Sequence, residues 1–71
     1  MKKENIISLS MAEIDTEYKI VKNPNQKYFE LGLYVGSEVR VLKKNDRNLV
    51  LAVGAARYII PLTVAKMIEV M

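Results

Sequence analysis

A chain of 71 residues is one small domain with a limited core and a slim stability margin. It has no cysteine and no histidine, which excludes disulfides and thiolate sites, removes the usual zinc, copper and haem ligands, and leaves no Ser-His or Cys-His nucleophile pair. A net charge of +3, with 51% hydrophobic and 27% charged residues, is globular composition, and the basic excess is scattered rather than pooled.

The opening "MKKENIISLS" does not read as a signal peptide, because Glu4 interrupts a short apolar stretch. No apolar run approaches the roughly 20 residues of a membrane helix, so a cytoplasmic location is the default expectation. Residues 1–8 are expected to be partly flexible. Apolar alternation at Ile7, Leu9 and Met11 predicts a short edge strand or an extended lead-in, and Tyr18, Ile20 and Val21 predict a strand.

"VKNPNQKYFELG" carries both labels of a helix over about 24–31. Asn23 suits the N-cap, Pro24 the first helical position, and Gln26 stands at capping-box spacing. Gly32 is expected to supply the left-handed residue that stops the helix, and Gly36 to permit the turn into the next strand. The two glycines are a structural motif, not a phosphate loop, since Gly36-Ser37-Glu38 leads into a strand rather than a helix.

"SEVRVLKK" predicts a strand with Val39 and Val41 inward and Arg40 and Lys43 outward. "KNDRN" predicts a turn, and "LVLAV" a strand with Leu49, Leu51 and Val53 on one face. Gly54 marks a second turn and "ARYII" a further strand that Pro61 closes, which completes an antiparallel meander. A single helical turn near 62–66 should bring Ala65 and Met67 inward, before a last short strand with Ile68 and Val70 buried. Five to six short antiparallel strands, one short helix and one helical turn suit a mainly β fold, a small and strongly bent barrel over residues 1–71.

The stretches "FELGLYVGSEVRVL" and "YIIPLTVAKMIEV" resemble the FeoA family, the small cytoplasmic partners of the bacterial ferrous iron transporter FeoB. Leu31, Gly32 and Leu33 match the family's helix end. Gly36 and Val39 to Leu42 match its turn and strand, and Ala65, Ile68 and Val70 match its close. The resemblance covers roughly residues 9 to 70. Val35 stands where the family has proline, "KNDRN" is shorter than the family's hairpin, and Ile60-Pro61 precede the closing turn where a basic residue is common. The resemblance implies an SH3-like barrel, a non-catalytic accessory or regulatory role in ferrous iron transport, and docking on the cytoplasmic part of FeoB. The same module occurs in metal-dependent repressors of the DtxR type, so a detached module that self-associates through the edge strand at "IEVM" is an alternative.

The candidate partner-binding residues are Leu33, Tyr34, Val35, Arg40 and Lys43. Tyr34 and Val35 lie between two glycines, where they either plug the barrel end or form an exposed contact with Arg40 and Lys43 as a polar rim. A second reading places nucleic acid at Lys43, Lys44 and Arg47. Tyr18, Tyr28 and Tyr58 fall at positions expected to be buried, which argues against a base-stacking platform. Glu13, Asp15 and Glu17 would share one face if extended, about 6 to 7 Å between neighbours, as a solvated acidic edge or a weak hard-cation site. No cofactor, metal site, substrate or catalytic residue is expected. A chain without His or Cys is a poor iron carrier.

Overall fold

In the computed structural model, which describes residues 5–71, six strands form one antiparallel sheet. They are β1 (Ile7–Ser8), β2 (Glu17–Lys22), β3 (Glu38–Lys44), β4 (Asn48–Val53), β5 (Ala56–Pro61) and β6 (Glu69–Val70), in the spatial order β1-β6-β2-β3-β4-β5. Two short helices, α1 (Gln26–Glu30) and α2 (Leu62–Ala65), complete the domain. The mainly β class expected from the alternation stands. The partly flexible segment expected at 1–8 lies outside the described residues over 1–4, while Ile7 and Ser8 pair with Val70 and Glu69.

The core is wholly aliphatic: Leu9, Ala12, Ile20, Leu33, Val39, Val41, Leu49, Leu51, Ile60, Ala65, Ile68 and Val70 are buried. Burying each of the larger side chains contributes about 1.5–3 kcal/mol. Val39 and Val41 of β3 and Leu49 and Leu51 of β4 supply one wall through simple alternation. Val53, Tyr18, Tyr28 and Tyr58 pack against this core while only partly buried.

Two corrections concern the first and last apolar groups. The alternation at Ile7, Leu9 and Met11 does not continue as a strand, because Leu9–Met11 wind into a 3₁₀ turn capped by the Ser8 hydroxyl, which accepts from Ser10 N. Leu9 is thereby buried and Met11 is left exposed. Met67, expected inward, also stands exposed, because α2 ends at Ala65 and the following turn points Ile68 to the core instead.

Bulges decide where two basic side chains go. Val41 pairs with Leu51 and Lys43 with Val50, so Leu42 is an extra residue. By plain alternation Lys43 would follow Val39 and Val41 inward; the bulge turns it out. Lys44, opposite buried Leu49, then lies on the inner parity at the strand's end. Its ammonium donates to Ser10 O at 3.2 Å and Ala12 O at 2.8 Å, tying the strand to the 3₁₀ turn.

The turns use the glycines as the residue order requires. The β4–β5 hairpin has two loop residues, Gly54 and Ala55, between paired Val53 and Ala56. Gly54 has φ +60° and Ala55 is not among the positive-φ residues, the pattern of a type II′ turn. The β3–β4 turn is held by Asn45, whose side-chain oxygen accepts from Arg47 N and Asn48 N.

Candidate docking surface

The segment from Asn23 to Ser37 is built by local hydrogen bonds that sequence spacing only partly foretells. Helix α1 starts at Gln26, not Pro24. Asn25 is its N-cap, with its side-chain oxygen accepting from Tyr28 N at 3.1 Å. Asn23 is used otherwise: its Oδ1 accepts from Asn25 N, and its Nδ2 donates to Leu33 O at 3.0 Å, across the whole helix. That long-range bond is the reason the cap falls two residues later than the spacing predicts.

Gly32 ends the helix as expected, at φ +117°. Gly32 N donates to Phe29 O and Leu33 N to Tyr28 O, the paired bonds of a Schellman motif. The residue after the glycine, Leu33, is pulled into the core and fully buried. Leu33 therefore offers a partner no surface; it anchors the loop.

From that anchor the chain turns tightly. Ser37 N donates to Tyr34 O at 2.9 Å around Gly36 at φ +93°, a type II turn with Val35 and Gly36 at its centre. The Ser37 hydroxyl donates to Gly32 O and accepts from Tyr34 N. Gly36 N donates to Ile20 O, and Ile20 N to Ser37 O, which ties the turn to β2. The loop backbone is thus fixed at both ends and across its middle.

Its apolar side chains nonetheless face solvent. Leu31 is 44%, Tyr34 49% and Val35 62% exposed. Tyr34 is not a plug: its ring meets Phe29 edge-on, with centroids 5.0 Å apart at 82°. Leu31, named in the sequence only as part of the helix end, was not among the candidate partner residues. As the C-cap of a five-residue helix it falls beyond the buried face.

The two cations expected as a rim lie elsewhere. Arg40 pairs with Glu17 at 2.9 Å and lines a shallow concavity with Glu38 and Arg57. Lys43 lines a different one with Asn45, Asn48, Val50 and Ile59. Of the five candidate residues, Tyr34 and Val35 share a surface, Leu33 lies beneath it, and Arg40 and Lys43 line separate hollows on the sheet.

Val35 occupies the first central position of the type II turn, where proline's fixed φ is favourable. Val35→Pro is expected to raise stability by about 0.4–1 kcal/mol by restricting the unfolded chain. Chemical denaturation would read this as a higher midpoint at unchanged slope, and a lower midpoint would show that the turn is not of this type.

Other chemistry finds little footing. Asp15 takes φ +64°, which breaks the extended run that would have aligned Glu13, Asp15 and Glu17. Among the described residues no group of three or more acidic side chains gathers as for a metal. The Lys43, Lys44 and Arg47 tip loses Lys44 to its two carbonyl partners. Tyr18 accepts from Glu13 N and Tyr58 donates to Leu31 O, so both phenols are committed to backbone groups rather than open to bases.

These features define a small, mainly β domain with a stiff, apolar turn on its surface. The chain belongs to the FeoA family: the FeoA domain model matches residues 7–71. A comparison with curated proteins finds no match. Two solved structures share the fold. A crystal structure of "Iron Uptake Regulatory Protein (FeoA)" superposes with TM-score 0.85 at 24% identity, covering 94% of this chain and 96% of that one. An NMR structure of a FeoA-like protein from Clostridium acetobutylicum gives TM-score 0.83 at 21% identity, covering 97% and 88%. Family membership supports a role in ferrous iron transport systems. Among the described residues no helix is long and apolar enough to cross a membrane.

Proposed function

We propose that this chain is a non-catalytic accessory of ferrous iron transport that acts in the cytoplasm by docking on the cytoplasmic part of a FeoB-type transporter. The observation that carries the reading is the apolar trio Leu31, Tyr34 and Val35, exposed on a backbone that hydrogen bonds hold rigid. A preordered apolar turn costs little conformational entropy on binding. Aromatic side chains such as Tyr34 are frequent anchors of interfaces. Without histidine or cysteine the chain lacks the ligands suited to carrying iron, so assembly or regulation of the transporter fits better than metal hand-off.

The test is a titration of the immobilised cytoplasmic domain of a FeoB-type transporter with the chain and its Tyr34→Ala variant. Truncating an anchor is expected to cost about 2 kcal/mol of binding, roughly 30-fold in affinity. Loss of the contact with Phe29 should cost only about 0.5–1.5 kcal/mol of folding stability, so the variant stays folded by circular dichroism. Absence of binding by the parent chain, or undiminished binding by the folded variant, would overturn the reading.

A further inference from the structure

The two edges of the sheet are unequal. The β1 edge is two residues long, whereas the β5 edge runs for six. In the two-residue hairpin, Val53 and Ala56 form the first hydrogen-bonded pair, so Ala56, Tyr58 and Ile60 turn their backbone groups to β4. Arg57 and Ile59 turn theirs outward. Among the described residues, neither makes a backbone hydrogen bond on that side. Pro61 has no N–H to offer. The strand "IEVM", expected to be the free edge, is instead enclosed as β6 between β1 and β2.

The β5 edge exposes a large apolar side chain. On the outer face Ile59 is 67% exposed. On the inner side the Tyr58 hydroxyl donates to Leu31 O at 2.6 Å, which ties the loop after α1 to this strand. Edge strands of soluble domains are commonly guarded by lysine, a bulge or an internal proline. β5 pairs with β4 without a bulge, has no lysine, and places its proline at its last residue.

We infer that a second copy of this chain pairs antiparallel with the β5 edge, two-fold about Tyr58, so that Arg57 of each copy lies opposite Ile59 of the other. Register selects this arrangement. Centring the two-fold on Arg57 sets the two guanidiniums directly opposite each other, which is repulsive. Centring it on Ile59 sets Arg57 opposite Pro61, which has no donor. The Tyr58 centre pairs both the N–H and the C=O of Arg57 and Ile59, in four backbone hydrogen bonds, whereas the Ile59 centre leaves both Arg57 carbonyls unpaired. The Tyr58 centre also lays each arginine stem over an exposed isoleucine. The contact is isologous and closes at two copies. It is separate from the docking reading above and does not depend on it.

Sedimentation of the full chain over a range of concentrations tests the inference. The expected result is a reversible rise from 8.1 kDa towards twice that mass. Ile59→Lys, which sets a lysine against the partner's Arg57, should remain monomeric while melting like the parent at concentrations where the parent too is monomeric. Register is read with cysteine variants, since the chain has no thiol of its own. Opposed residues of a hydrogen-bonded pair lie about 5.5 Å apart between Cα atoms, within disulfide reach. Arg57→Cys mixed with Ile59→Cys should therefore give a disulfide-linked dimer on mild oxidation, and each variant alone should not. A monomer at every concentration, an Ile59→Lys variant that still dimerises, or cross-linking of either single variant with itself would overturn the proposal.

Discussion

Leu51→Ala is expected to remove most of the domain's stability. Leu51 is fully buried at the centre of β4, between Val41 on β3 and Tyr58 on β5. Its truncation costs the transfer energy of the lost methyl groups plus that of the cavity left behind, about 2–5 kcal/mol. A domain of this size without a disulfide typically holds only about 3–5 kcal/mol in all. Thermal melting should therefore show a fall of about 8 °C or more, at about 4–8 °C per kcal/mol, or no cooperative transition. The matched control is Ile59→Ala, one residue along on the neighbouring strand but 67% exposed, which should stay within about 0.5 kcal/mol. Equal effects of the two changes would mean that the two faces of the sheet are assigned wrongly.

Gly32→Ala should produce the second large loss, for a different reason. Space is open at Gly32: an added Cβ would meet nothing nearer than the Tyr58 hydroxyl at 4.0 Å. The obstacle is the backbone, whose φ of +117° lies beyond even the small left-handed region that L-residues visit. Strain of that kind costs about 1–3 kcal/mol. If the chain relaxes instead of bearing it, the Schellman bonds open and Leu33 leaves the core. The variant should melt roughly 4–24 °C lower and, with its turn geometry gone, lose the docking proposed above. A Gly32→Ala protein with unchanged melting would show that the left-handed stop is dispensable.

The legible part of this sequence was the meander. Val39 and Val41, Leu49 and Leu51, and the glycine at 54 are local signals. Period-two alternation and a positive-φ residue need no knowledge of the rest of the chain. Gly32 was legible for the same reason. The N-cap was not, because Asn23 and Asn25 are equally good caps in isolation, and the choice is made by the Leu33 carbonyl ten residues away. Met67 and the 9–11 stretch were misplaced because one turn of helix is too short to show a period.

The candidate surface was half legible. Two glycines four apart single out Tyr34 and Val35, but nothing in the spacing separates those exposed residues from buried Leu33 beside them. That distinction comes from the Schellman geometry. The rim expected at Arg40 and Lys43 failed because a strand's solvent face is wide, and because the bulge at Leu42 shifts Lys43 relative to Arg40. The strand order was also out of reach, since alternation tells which face is buried and not which strand is the neighbour.

The place of β6 has a kinetic consequence. Strands that accrete as successive hairpins can fold as they are joined, and β3, β4 and β5 can do so from local contacts. β6 closes the far side of the sheet by entering between β1 and β2, with Val70 paired to both Ile7 and Ile20. Nearly the whole chain must be looped before that pairing yields any return, and ordering the loop costs entropy first. Folding should thus wait on β6: until Glu69 and Val70 dock, β1 lacks the strand it pairs with in this sheet, and that flank stays open.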